Sequence, residues 1–288
     1  MTVRNSPSHQ ITRAIFNAAS GYMEVLEERR LLSVSLNNGL LRVAGTSGGD
    51  NVTVFLSKSD PSKIDVKLNN VVTEYNFADV TSIRIDGYGG NDRIEFDQSN
   101  GAINRSTRLY GGEGDDTVLG CNGRDRIFGG SGDDDISGGN GNDSIYGDDG
   151  NDVISGGNGK DFIRGSLGSD VVHGNKGNDR LFGEDDDDTL MGDDGNDTMM
   201  GGNGDDDCSG STGDDSIDGE DGDDDCRGGA GNDHVRGGPG NDDFGVDDHG
   251  DDDDETEFED RGTDDNGDNG HGGHDDHGGN DDGGPDRR

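Results

Sequence analysis

The chain has 288 residues, of which 66 are Asp or Glu and 23 are Lys or Arg, giving a formal net charge of -43. An acidic surface of this kind repels phosphate and excludes nucleic acid as a partner. With 25% hydrophobic residues the chain cannot bury one ordinary core, which excludes a conventional globular enzyme over its whole length, and 56 Gly beside only 4 Pro fit neither collagen nor a plain linker.

The charge divides the chain. Residues 1–110 hold 12 acidic and 12 basic side chains, residues 111–245 hold 36 and 8, and residues 246–288 hold 18 and 3. All of the excess lies beyond residue 110.

In residues 1–33, Ile11, Ala14, Ile15 and Ala18 fall on one helical face, and MEVLEERRLLS follows from Met23 to Ser33. That string resembles the LExRxLLS motif found at the N-terminus of many exported and surface proteins of certain bacteria, which implies a sorting role. A simple amphipathic helix is the alternative. Glu24, Glu27 and Glu28 interrupt any signal-peptide core, and no apolar run is long enough to span a bilayer, so no membrane span is expected.

Residues 34–110 read as strands: LLRVA at 40–44, VTVFL at 52–56, KIDVKL at 63–68, VVTEYNF at 71–77 and TSIRI at 81–85 carry alternating or β-branched apolar residues. Residues 87–95, GYGGNDRIE, form an imperfect copy of the repeat that follows, and Ile85, Ile94, Ile103, Leu109 and Val118 keep nearly its spacing. This region is expected to be a β-rich N-terminal cap continuous with a solenoid, with a separate β-sandwich as the alternative. It contains neither HExxH nor GxSxG, and about 77 residues is small for a secreted hydrolase domain, so no enzyme is expected.

From residue 111 to 245 the sequence repeats every nine residues, fifteen times, without an insertion. Position one is Gly throughout: Gly111, Gly120, Gly129, Gly138, Gly147, Gly156, Gly165, Gly174, Gly183, Gly192, Gly201, Gly210, Gly219, Gly228 and Gly237. Position six is Asp throughout: Asp116, Asp125, Asp134, Asp143, Asp152, Asp161, Asp170, Asp179, Asp188, Asp197, Asp206, Asp215, Asp224, Asp233 and Asp242. Position four is Gly in fourteen units, Asp186 being the exception, and position eight is apolar from Val118 to Phe244. Glycines at positions one and four permit positive φ, so the first six residues form a tight turn. The last three alternate polar, apolar, polar, as a very short strand with one inward side chain does.

The unit GGxGxDxUx, with U a large apolar residue, resembles the hemolysin-type calcium-binding repeat of the RTX proteins. The resemblance implies an all-β parallel β-roll, a calcium-stacked solenoid, in which two nonapeptides make one coil and repeats n and n+2 stack. It also implies Ca²⁺ ions held between stacked turns by the position-six carboxylates and by carbonyls of the glycine turns beginning at position one. Calcium takes 6 to 8 oxygens in flexible geometry, whereas magnesium keeps its waters and zinc wants His or thiolate. An EF-hand would need flanking helices and a Glu at the twelfth loop position, for which a nine-residue period has no room. Fifteen repeats give thirteen n/n+2 pairs, and thirteen divalent ions would carry 26 positive charges against 28 net negative on the array. One apolar side chain in nine residues offsets little of the ordering entropy, and stacked carboxylates repel, so the metal-free array is expected to be unfolded.

Residues 246–288 contain Asp251 to Asp254 in a row and almost no apolar residues, which predicts a disordered tail; His271, His274 and His277 are weak metal candidates there. Cys208 and Cys226 both occupy position eight, on adjacent coils of one stack and within disulfide reach, although two free core thiols are the preferred reading. Cys121, at position two, is placed on a turn. The expected function is that of an exported, non-enzymatic calcium-binding module at the cell surface, structural, adhesive or ion-sequestering. The alternative is a secreted hydrolase or toxin-like protein whose β-roll assists export.

Overall fold

The computed structural model describes residues 32–244. The LExRxLLS-like string up to residue 31, and the acidic tail with its candidate metal ligands His271, His274 and His277, lie outside the described residues.

Apart from a 3-10 turn at Phe77–Asp79, the regular structure of the described residues is strand. The early strands are β1 (Ser33–Asn37), β2 (Leu40–Ala44), β3 (Asn51–Leu56), β4 (Lys63–Leu68), β5 (Val71–Asn76), β6 (Ser82–Gly89), β7 (Arg93–Asp97) and β8 (Ser106–Glu113). Together with the repeats they build a parallel β-roll of two sheets, with 11 and 12 strands. Even-numbered repeats add strands to the first sheet and odd-numbered repeats to the second. Ile127 therefore pairs with Ile145 and Ile136 with Ile154, a step of 18 residues, so two nonapeptides complete one coil.

The coil does not begin at residue 111. Strands β2, β6 and β8 are parallel neighbours in the first sheet, and β3, β7 and Thr117–Leu119 are parallel neighbours in the second. Both sheets thus run on through residues 34–110, and no separate sandwich forms. Antiparallel pairing closes the N-terminal end, β1 on β2 and the meander β3, β4, β5.

Position eight supplies the core. Its side chains from Val118 to Cys226 are at most 1% exposed and stack in two columns between the sheets, and Ile85, Leu109 and Ile94 continue them at 0%, whereas Ile103, also buried, lies beside the turn at Cys121 and Asn122. Val235 and Phe244 at the C-terminal end are only partly buried. Cys208 and Cys226 are register partners in one column and are buried free thiols.

Two features differ from the sequence reading. Strands run past position nine into positions one to three of the next repeat, as in Asp125–Ser131, and the register omits position one: Phe128 faces Tyr146 and Gly130 faces Asp148. Positive φ falls at positions two and four and not at position one, with Asp148, Ser166, Asn175, Glu184, Asp193, Ser211 and Glu220 adopting it at position two. Glycine at position four is needed twice over, since a Cβ on Gly177 would also run into the carbonyl of Gly159 one coil below.

The outer faces are unlike. The first sheet carries a column of rings, with Tyr110 stacked on Phe128 at 5.0 Å and Phe128 on Tyr146 at 4.9 Å, and Phe162 tilted against Phe182 further along. Arg84, Arg126, Arg164 and Arg180 lie over these rings.

Candidate metal centre

Each position-six Asp lies where the glycine turn enters a strand, and packing of one coil on the next buries it. From Asp116 to Asp224 these side chains are only 1–2% exposed. A charged group so placed needs partners, because an unpaired buried carboxylate is costly.

Half of the need is met along the stack. The backbone N–H of each position-six Asp donates to Oδ1 of the Asp two repeats later, as in Asp116 to Asp134 at 2.7 Å and Asp134 to Asp152 at 2.8 Å. All thirteen n/n+2 pairs of the array are linked in this way, at 2.7 to 3.1 Å. The predicted stacking of these carboxylates is therefore what the fold brings together.

The other oxygen is left over. Oδ2 of Asp92, Asp116, Asp134, Asp143, Asp152, Asp161, Asp170, Asp179, Asp188, Asp197, Asp206, Asp215 and Asp224 is buried with no hydrogen-bond partner. Each lies over the position-one glycine of its own repeat. A Cβ on Gly147 would collide with Oδ2 of Asp152 and with the carbonyl of Gly165 on the next coil. Position one is glycine for this close approach of two oxygens, which corrects the expectation of positive φ there.

Burial, with repulsion from neighbouring carboxylates behind it, pushes these groups up, while the donated N–H holds them back. Asp170 rises to about 8, Asp92, Asp134, Asp143, Asp179, Asp188 and Asp206 to about 7, and Asp116, Asp152, Asp161, Asp197, Asp215 and Asp224 to about 6.

Not every predicted residue fits the pattern equally. Asp233 and Asp242, last in their rows among the described residues, are less buried than the rest. The Oδ2 of Asp125 accepts the backbone N–H of Cys121 at 2.7 Å, and its Oδ1 accepts the hydroxyl of Thr107 at 2.8 Å. Cys121 is fully buried in that turn.

The sequence reading missed two sets of residues. Residues 45–53, GTSGGDNVT, place Gly at positions one and four, Asp50 at six and Val52 at eight, and the N–H of Asp50 donates to Oδ1 of Asp92 at 2.6 Å. The column signature was present, but at a separation of 42 residues from the next copy. Position five is Asn or Asp in twelve of fifteen repeats and makes a second ladder. There the N–H of the later repeat donates back to Oδ1 of the earlier one, as in Asp133 to Asp115 and Asn151 to Asp133.

Among the described residues no three His, Cys, Asp or Glu side chains converge as a metal cluster. The donor set is instead two stacked carboxylates with backbone carbonyls, all oxygen, and it lacks the nitrogen or sulfur that zinc would want. Rows of orphaned carboxylate oxygens above glycines that leave no room for a side chain fit a hard cation of flexible coordination.

A family model described as the RTX calcium-binding nonapeptide repeat (4 copies) matches residues 110–145, 128–163, 137–172, 164–199, 173–208, 200–235 and 227–245. No curated protein matches the chain.

Proposed function

Residues 110–245 belong to the RTX calcium-binding nonapeptide repeat family, and from that premise we propose that this β-roll folds on binding Ca²⁺ and serves as a non-enzymatic, exported structural, adhesive or ion-sequestering module at the cell surface. The observation that carries the reading is the set of thirteen buried Oδ2 atoms without a partner. The proposed ligands are these position-six oxygens and the carbonyls of the glycine turns that begin at position one. When bound, calcium supplies positive charge and further coordination to oxygens that the protein itself leaves unsatisfied. The chain's own part is to hold the carboxylates in register through the N–H to Oδ1 ladder and to keep water from the second oxygen.

Metal-dependent folding follows from the same groups. Closely stacked buried carboxylates repel, and only about one residue in nine contributes to the core, so coil formation and ion binding are one event. Residues 34–110 act as the cap on the first coil, and export in the unfolded state would precede folding in a calcium-rich exterior. No helix among the described residues is long and apolar enough to cross a membrane. Titrating the calcium-stripped full chain with Ca²⁺, by calorimetry and far-ultraviolet circular dichroism, tests the proposal. Cooperative uptake of several ions with a rise in β content is expected, and identical spectra with and without calcium would overturn it.

A further inference from the structure

We propose that the two rows of calcium sites are unequal: the odd row starts before the recognised repeats, with Asp92 as a ligand, and the even row starts after Asp125, which holds no ion through its Oδ2. This inference rests on the calcium reading above.

Asp92 lies outside the stretch matched by the family model, which begins at residue 110. It nevertheless has every feature of an interior member. It is 3% exposed, its Oδ2 has no partner, and its Oδ1 accepts the N–H of Asp50 at 2.6 Å. Its own N–H donates to Oδ1 of Asp116 at 2.7 Å. A Cβ on Gly87 would collide with Oδ2 of Asp92 and with the carbonyl of Gly111, as one on Gly111 or Gly129 would with the corresponding atoms of its own repeat and the next coil. Tyr88 and Gly90, at positions two and four, have φ of 83° and 87°. The extra residues between this turn and the next lengthen the step from 18 to 24 without disturbing the stack.

One coil further down, the row is sealed. The Oδ2 of Asp50 accepts the backbone N–H of Thr46 at 2.6 Å and its hydroxyl at 3.0 Å, and its Oδ1 accepts Nδ2 of Asn69 at 2.7 Å. With these donors in place the carboxylate needs no cation. Asp125 is sealed in the same manner although it belongs to a well-matched repeat. Cys121 N–H caps its Oδ2, and Thr107, its register neighbour on β8, presents a hydroxyl where a row member would present a carboxylate.

Pairing each orphaned Oδ2 with the coil above it gives eight sites in the odd row and five in the even row. Consensus counting also gives thirteen, divided seven and six, so the total cannot distinguish the two arrangements. Single variants can.

The test counts calcium ions per full-length chain at saturation, by equilibrium dialysis and elemental analysis, for wild type, Asp92→Asn, Asp125→Asn and Asp134→Asn. The expected losses are one ion for Asp92→Asn, none for Asp125→Asn and two for Asp134→Asn. Full retention by Asp92→Asn, or a loss by Asp125→Asn equal to that of Asp134→Asn, would overturn the proposal while leaving the calcium reading intact. A wild type that binds no calcium, or an Asp134→Asn variant with no loss, would instead sink both. Terbium gives a second measurement that leaves the carboxylates untouched. The chain has no Trp, and Tyr88 lies in the proposed turn, so Tyr88→Phe is expected to lower tyrosine-sensitised terbium emission at equal ion occupancy. Unchanged emission would count against an ion at that turn.

Discussion

The backbone N–H of Asp152 donates to Oδ1 of Asp170 at 2.7 Å, while Oδ2 of Asp170 is buried without a partner. The two oxygens of one carboxylate thus have separate tasks. One fixes the register of successive coils, and the other presents negative charge that the protein does not neutralise.

That division makes a position-six Asp structural as well as ion-binding. Asp152→Ala leaves the N–H of Asp134 without its acceptor, which costs about 1–3 kcal/mol, and removes a ligand from the sites above and below. Asp116 is the first such residue of the consensus array, yet it accepts from Asp92 at 2.7 Å and is therefore interior. Asp116→Ala is expected to match Asp152→Ala in ions lost and in thermal midpoint measured in saturating calcium. A halved effect at Asp116 would show that the row ends there.

The pH dependence has a definite sign. The folded-state values of these carboxylates, about 6 to 8 as at Asp116, Asp134 and Asp170, lie above the ordinary 3.8. Their contribution to the metal-free fold is fully present below about pH 3.8 and is lost as pH rises through 6 to 8. A calcium-stripped chain is expected to gain β structure on acidification from pH 8 to below 4. Near pH 6.5 the unfolded, calcium-free chain already carries ionised carboxylates, so calorimetry in buffers of different ionisation enthalpy is expected to show calcium uptake with little proton release.

Backbone strain offers a stabilising test. Ser166 at position two has φ of 105°, and Asp186 at position four has φ of 76°. Asp tolerates the left-handed region better than Ser does, and glycine tolerates it best. Ser166→Gly is expected to raise stability by about 1 kcal/mol and Asp186→Gly by less. Thermal unfolding in calcium measures both, and a clear loss at Asp186→Gly would reveal its exposed carboxylate as a ligand.

Ion choice follows from the donors. Magnesium at equal concentration is expected to induce little of the β signal that calcium induces, because it prefers a tight octahedron and retains water. Circular dichroism of the stripped chain in each ion decides this, and equal folding by both would mean that charge screening alone suffices.

Most of the architecture was legible because the physics repeats. Asp at six and an apolar residue at eight mark the carboxylate row and the core, and fifteen copies in phase fix a nine-residue unit, while the coil of two such units came from the family resemblance. The strands of residues 40–85 were legible by alternation. What escaped depends on contacts between distant segments. Asp50 joins the row across 42 residues, and Asp125 is closed by a hydroxyl from Thr107, which no local pattern announces. The positive φ at position two was hidden because only about half of the repeats place glycine there, and the others, Cys121 excepted, accept the strain.

The ladders at positions five and six run in opposite senses. The N–H of Asp152 points to the following coil at Asp170, whereas the N–H of Asn151 points to the preceding coil at Asp133. Bond dipoles that all pointed one way would add along the axis and charge the two ends of the roll, as they do in an α-helix. Here they oppose one another wherever both ladders run, so such a coil adds little axial polarity. Where both ladders run, the roll can therefore be lengthened or shortened by whole coils without building an axial dipole that grows with its length.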